Sequence, residues 1–215
     1  MGERRRDKLL GIKTIGIREW KDRRTHYNRY EATPYKALDK LFKYYKPGKD
    51  DKVVDFGCGR GRVTFYIHNR FQIPVTGIEA NAITYEEALD NKTTYRLKAQ
   101  HISAPINFQF GLAENYEISH DDNCFYFFNP FSVDIFEKVV TNIMYSLMEK
   151  KRTVHIILFY PLAEYKNFLK EKTPFEIINK VKMPWSGDRH DKFIIYRLKE
   201  EDISISDVYL DTIAN

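Results

Sequence analysis

The 215-residue chain has only two cysteines, six histidines and no run of 18 apolar residues. Cys58 and Cys124 follow no metal-ligand spacing and are too few for a disulfide framework, so both are expected as reduced thiols of a cytoplasmic protein. The histidines stand at positions 26, 68, 101, 120, 155 and 190, again without ligand spacing, and no metal is expected. His155, within an apolar run, reads as a core histidine whose ring nitrogens are satisfied. No Gly-x-Ser-x-Gly occurs, which leaves a serine nucleophile without support. With charge running from Glu3 to Lys8 and no long apolar stretch, neither a membrane span nor a signal peptide is expected. No internal repeat interrupts the chain.

What is there is a globular composition, rich in tyrosine and phenylalanine, long enough for one α/β core with appendages. Charge is uneven. Residues 1–52 carry 16 Lys and Arg against 8 Asp and Glu, a net +8, while the remainder is at −3. A basic segment on a mildly acidic body suits a polyanion such as nucleic acid, or an acidic partner; it is equally the pattern of a solvated basic face.

Thr33 and Pro34 fit an N-cap and a first helical residue, and Leu38, Leu41, Phe42 and Tyr45 recur at helical spacing, which predicts a helix over 34–45. Beyond it, apolar strands alternate with helices. Strands are expected at 52–56, 74–79, 106–110, 124–128 and 153–159, with helices over 61–70, 82–101, 133–148 and 162–170. The run from Cys124 to Phe128 is unbroken and suits burial on both faces. Two last strands, 175–181 and 193–198, are joined by too short a link for a crossover helix and must pair antiparallel. This pattern predicts an α/β fold, a mostly parallel doubly wound sheet of seven strands closed by an antiparallel hairpin. The expected division is a basic N-terminal extension over 1–33, a core over 34–198 and a tail over 199–215.

The centre of the pattern is Asp55-Phe56-Gly57-Cys58-Gly59-Arg60-Gly61, a strand turning through glycines into a helix N-terminus. Such a turn brings backbone close to a charged ligand, with Asp55 placed to orient the loop or face a ligand ammonium. Together with the terminal hairpin, it resembles the Asp-x-Gly-x-Gly-x-Gly motif of the class I S-adenosylmethionine-dependent methyltransferases, over roughly residues 30–198. The resemblance implies that this loop lines the methionine half of S-adenosylmethionine. A nicotinamide site would want Gly-x-Gly-x-x-Gly, and Arg62 stands where its third glycine would fall.

On the same resemblance, Glu79 accepts hydrogen bonds from the ribose hydroxyls, unless it merely caps the next helix, and Ala80 follows where adenine packs. Ala113 and Glu114 fit the backbone N–H and acid that read the adenine edge; an ordinary loop acid is the other reading. Asn129-Pro130-Phe131 resembles the Asn-Pro-Pro-Tyr/Phe motif of amino-methyltransferases with one proline missing. It implies that Asn129 and the proline segment orient a target nitrogen beside the cofactor while Phe131 stacks on a planar acceptor. The plain alternative is a turn that caps the following helix. Trp185, Arg189 and His190, in the hairpin link, are further candidates for acceptor contact, and Tyr30, Thr33 and Tyr35 form either a lid or a structural staple. The function expected is methyl transfer to a nitrogen of an unidentified acceptor, which is a nucleic acid, a protein side chain or a small molecule. The rivals are a nicotinamide-dependent oxidoreductase and a non-catalytic binding module.

Overall fold

A computed structural model of the chain describes residues 2–19 and 26–204; Trp20 and residues 205–215 lie outside them. Helix α1 (Glu3–Leu10) is followed by a two-residue ribbon, β1 (Ile17–Arg18) paired antiparallel with β2 (Tyr30–Glu31). Next come α2 (Tyr35–Tyr44), β3 (Val53–Phe56), α3 (Arg62–Phe71), β4 (Val75–Glu79), α4 (Ala82–Lys98) and β5 (Ile106–Phe110). The second half contains β6 (Cys124–Phe127), α5 (Val133–Glu149), β7 (Val154–Phe159), α6 (Ala163–Lys172), β8 (Glu176–Lys182) and β9 (Lys192–Leu198).

Seven strands form one sheet in the order β5-β4-β3-β6-β7-β9-β8. Strands β3 to β7 are mutually parallel, and β9 runs antiparallel between β7 and β8. Strand β8 therefore points the same way as the first five, and all six carboxyl ends collect at one edge. The strand order reverses between β3 and β6, the place where open α/β sheets take ligands.

Alternation along the strands explains the two layers. Val54 and Phe56, Phe125 and Phe127, and Ile156 and Leu158 face α5 and α6 in one buried cluster. Val53, Cys124, Tyr126, Ile157 and Phe159 face α2 and α3 in the other. A strand buried on both sides needs no polar alternation, which is why Cys124–Phe127 is apolar throughout. Helix α5 buries Ile135, Phe136, Val139, Val140, Ile143 and Leu147, each contributing roughly 1.5–3 kcal/mol relative to exposure.

Several details depart from the sequence pattern. Residues 3–10, without an evident apolar stripe, form a helix held to the body by polar contacts, of which those of Asp7 are buried. Asp7 accepts hydrogen bonds from the Thr14 N–H (2.6 Å), the Thr14 hydroxyl (2.8 Å) and the Tyr35 hydroxyl (2.7 Å), while Arg62 pairs with Glu3 and Arg6 with Asp39. Thr33 is not a helix cap: Pro34 holds that position, and the Thr33 hydroxyl meets the Tyr126 hydroxyl at 2.8 Å in the core. Helix α4 stops at Lys98, three residues short of expectation. His155 is not satisfied, since its Nδ1 is buried without a hydrogen-bond partner; burial lowers its pKa while the ring packs on Tyr45. Both cysteines are free and buried. Among the described residues, no helix is long and apolar enough to cross a membrane and no cluster of three potential metal ligands occurs.

Candidate functional site

At the carboxyl end of β3 the chain turns through Gly57, Cys58, Gly59 and Gly61 into α3. The Gly57 and Cys58 amides both donate to the Ile78 carbonyl of β4 (2.9 and 3.0 Å), which clamps the loop to its neighbour strand. Gly57 and Gly59 are left-handed, at φ 69° and 57°, a conformation that costs a side-chain-bearing residue about 1–2 kcal/mol. Space excludes a side chain as firmly as strain does. A Cβ on Gly57 would lie 2.3 Å from Pro130, and one on Gly59 would lie 2.1 Å from the Tyr30 ring. Behind the loop Asp55 is buried and accepts from the Thr64 hydroxyl at 2.8 Å, tying strand to helix; burial pushes its pKa up to about 7. The Cys58 thiol is buried against Gly77, and burial raises its pKa well above the ordinary value.

Glu79 ends β4 beside this loop. One carboxylate oxygen accepts from the Gly59 amide (2.8 Å) and the other from the Asn81 amide (2.7 Å). Burial raises its pKa, opposed by those amides and that of Ala80. Each oxygen keeps a second lone pair, so the carboxylate can accept further donors. Asn81 caps α4 through Thr84, the role left open for Glu79.

One strand further out, Ala113 and Glu114 lie in a 3₁₀ turn after β5. An N–H beside a carboxylate is the complement of adenine's Watson–Crick edge, an acceptor nitrogen next to an amino group. Here one hydroxyl satisfies both: Tyr27 donates to Glu114 Oε2 at 2.6 Å and accepts from the Ala113 amide at 2.8 Å. Burial, and then Glu114, push the Tyr27 pKa far up, so the phenol keeps its proton.

The same N-terminal segment covers the next strand end. Tyr27 forms an antiparallel bridge with Phe131, and the Ser132 amide donates to the His26 carbonyl. The Asn28 amide donates to the Pro130 carbonyl (2.9 Å) and its side chain to the Asn129 carbonyl (2.8 Å). Asn129 is itself left-handed, at φ 40°, and so is Tyr160 at the end of β7, at φ 49°. The Asn129 side-chain amide donates to the Tyr160 carbonyl, and the Tyr160 hydroxyl donates to Asp188 in the β8–β9 link. Two non-glycine residues in this conformation on adjacent strand ends store backbone strain of the order of 1–3 kcal/mol each. Phe131 does not present a face to an acceptor: it is fully buried against Tyr27 and Phe127 because the apolar run of β6 continues inward.

The structure thus gathers Asp55, Gly57, Cys58, Gly59, Gly61, Glu79, Ala80, Ala113, Glu114, Asn129 and Pro130 at one sheet edge and turns Phe131 into the core. Thr33 and Tyr35 are core residues, whereas Tyr30 does lie over the glycine turn. Trp185 is exposed, with the Lys36 ammonium 4.2 Å from its ring centre. The donors and acceptors fit an adenosine carrying a charged amino-acid tail. The hollow between them is filled by the chain itself, since Arg18, Tyr27, Tyr30, Gly57, Glu79, Asn81 and their neighbours enclose only about 40 Å³. Sequence reasoning missed Tyr27 and Asn28, whose partners lie about a hundred residues away in a stretch that reads as plain polar surface. It also missed Arg62, whose buried guanidinium bonds Thr14 (2.7 Å) and anchors the N-terminal segment under the glycine turn.

No family model matches the chain, and no curated protein matches it. Solved structures do. An RNA methyltransferase of Salinibacter ruber in complex with S-adenosyl-L-homocysteine superposes at TM-score 0.51 and 15% identity, over 81% of this chain and 99% of the other. The mitomycin 7-O-methyltransferase MmcR gives 0.55 at 14% identity, over 76% and 53% of the two chains. The geranyl diphosphate C-methyltransferase of Streptomyces coelicolor gives 0.53 at 11%, over 77% and 78%. The chain therefore has the Rossmann-like methyltransferase fold, and its neighbours in that fold differ in their acceptors.

Proposed function

We propose that the protein is an S-adenosylmethionine-dependent methyltransferase acting on a nitrogen of its acceptor. The observation that carries this reading is the meeting of three features at one sheet edge: the left-handed glycine turn, the buried carboxylate of Glu79 and the Ala113–Glu114 pair. In this reading Gly57, Cys58, Gly59 and Gly61, steadied by Asp55, hold the amino-acid half of the cofactor. Glu79 grips the ribose, Ala80 borders the base, and Ala113 with Glu114 read its edge. The sulfonium brings an activated methyl group, so the chain's own task is alignment and exclusion of water, which can supply about 7–11 kcal/mol.

Asn129 is the residue assigned to the acceptor. Its amide nitrogen is committed to Tyr160, which fixes the side chain, and among the described residues its Oδ1 accepts no hydrogen bond. An amide oxygen so held accepts from an N–H and leaves the nitrogen lone pair free, which suits a neutral amine or ring amine and requires no general base. The Asn129 and Pro130 carbonyls would do the same, and Asn28 now occupies both. Hence residues 26–31 must withdraw before either ligand is seated: Tyr27 leaves the base-reading pair, Tyr30 the glycine turn, and Asn28 the acceptor carbonyls.

Titration calorimetry with adenosylhomocysteine tests the reading, with NAD(H) as the competing ligand. Binding of adenosylhomocysteine, abolished in Glu79→Ala, is expected, with hydrogen exchange of residues 26–31 accelerated in the complex. Binding of NAD(H) alone, or of neither ligand, overturns it.

A further inference from the structure

Folding pairs several of the cations. Arg6 pairs with Asp39, Arg18 and Arg60 with Glu87, Arg29 with Glu31, Arg62 with Glu3, and Lys52 with Asp121. Of these pairs, Arg18–Glu87 and Lys52–Asp121 set a cation of the first 52 residues against an acid of the body, while Arg6–Asp39 and Arg29–Glu31 lie within that segment.

A second basic surface lies at the far side of the sheet. Lys166 on α6, Lys180 and Lys182 on β8 and Lys192 on β9 form no ion pair among the described residues. Around Lys192 the neighbouring charges are Lys166, Lys182, Lys180 and Arg189, and burial followed by this repulsion lowers its pKa. The acids nearby are Asp188, bonded to the Tyr160 hydroxyl and the His190 amide, Asp191 next to Lys192, and Glu176 at the other end of β8, opposite Arg197. Lys166, Lys170, Lys180 and Lys192 line a groove of about 600 Å³ floored by Phe175 and Tyr196. The Lys192 end of the groove adjoins the site. Lys182 is in register with Lys192, whose carbonyl accepts from the Tyr160 amide (3.0 Å), and Tyr160 holds Asn129.

We propose that this groove binds the phosphate backbone of a single-stranded RNA and leads one of its bases to Asn129. Clustered like charges raise the energy of the free protein, and a chain of phosphates is the ligand that relieves several of them at once. A flexible strand fits better than a duplex because the lysines border a groove that ends at a sheet edge, where a splayed base is presented singly. The amide of Asn167 and the carboxylate of Glu176 also line the groove and match the 2′-hydroxyl, which both donates and accepts. Exposed Trp185 at the hairpin tip offers a ring for stacking. The orientation toward Asn129 rests on the methyl-transfer reading; the phosphate contacts do not.

The test is fluorescence anisotropy of a labelled 20-nucleotide RNA strand against the full chain as salt is varied. It compares wild type, Lys166→Glu/Lys180→Glu, and a control of equal charge change on and just after α2, on the opposite face of the sheet, Lys43→Glu/Lys46→Glu. Four phosphate contacts predict a slope of log affinity on log salt of about −3, at roughly −0.7 per contact on a single strand. The groove variant should bind at least about tenfold more weakly with a slope shallower by about 1.4, and the control should stay near wild type. Adenosylhomocysteine binding should be the same in all three, which also shows the variants folded. A flat wild-type slope, or equal loss in groove variant and control, overturns the proposal. A deoxyribose strand of the same sequence that binds as tightly overturns the assignment to RNA. If RNA binding behaves as expected while adenosylhomocysteine fails to bind, the methyl-transfer reading falls and the phosphate groove stands.

Discussion

The hydroxyl of Tyr27 lies 2.6 Å from the carboxylate of Glu114 while accepting the Ala113 amide at 2.8 Å, so one phenol answers both halves of a base-reading pair. It does not act alone. Tyr30 packs on Gly59 and Asn28 takes the carbonyls of Asn129 and Pro130, all from one stretch of six residues. A ligand that needs these groups must displace the stretch, and its apparent affinity is its intrinsic affinity reduced by the fraction of molecules already open.

Tyr27→Phe removes the hydroxyl and leaves Glu114 and the Ala113 amide unpaired in the closed form only. A hydrogen bond to a charged group is worth about 1.5–3 kcal/mol, so adenosylhomocysteine should bind about tenfold more tightly to the variant. The melting temperature without ligand should fall. Titration calorimetry decides; unchanged or weaker affinity would mean that Tyr27 does not compete.

Asp55 gives a pH signature. Its folded pKa, raised by burial to about 7 from 3.8, means that the native state holds a proton the unfolded chain releases. The stability it contributes is complete below about pH 4 and is lost as pH rises through about 7, on the order of a few kcal/mol. Asp55→Asn should lack this term, so its urea midpoint should gain on wild type between pH 5 and pH 8. A gap that does not change with pH would place the Asp55 pKa near its ordinary value.

Asn129 separates orientation from backbone strain. At φ 40°, Asn129→Ala should be less stable than Asn129→Gly by about 1 kcal/mol. Both lose the bond to Tyr160, and turnover with the true acceptor should drop roughly 100-fold in each, the scale of a lost alignment contact, with adenosylhomocysteine affinity little changed. Normal turnover in either variant would remove Asn129 from the acceptor site.

Gly59→Ala drives a methyl group into the Tyr30 ring and should cost upwards of 1–2 kcal/mol from its left-handed backbone alone. Adding Tyr30→Ala relieves the collision but not the strain. The double variant should therefore be more stable than the sum of the singles, by something in the 0.5–3 kcal/mol range of contacting pairs. Strict additivity in urea denaturation would show that the ring and the loop do not touch.

The strands were legible because each is a short apolar run bounded by breakers; Val53–Phe56 and Ile106–Phe110 fall within a residue of expectation. The glycine turn and Glu79 were legible because their chemistry is local, an acid or a small residue at a strand end. Tyr27 was not, since nothing in a polar stretch announces a partner 86 residues away. The partners of Arg6, Arg18 and Arg62 were hidden likewise, since only folding brings Asp39, Glu87 and Glu3 to them. Phe131 misled differently, because an aromatic after a turn looks exposed, and only the packing of Phe127 and Tyr27 around it shows otherwise.

Arg62 fastens Thr14 beneath the glycine turn, and Tyr126 fastens Thr33 in the core, so the chain that carries Tyr27 is tethered at both ends. A tethered competitor is never diluted: its effective concentration is fixed by the length of the loop and is the same in a crowded cell and a dilute assay. Added nucleoside works against a constant opponent, and the half-saturation point will report the strength of that tether as much as the quality of the pocket.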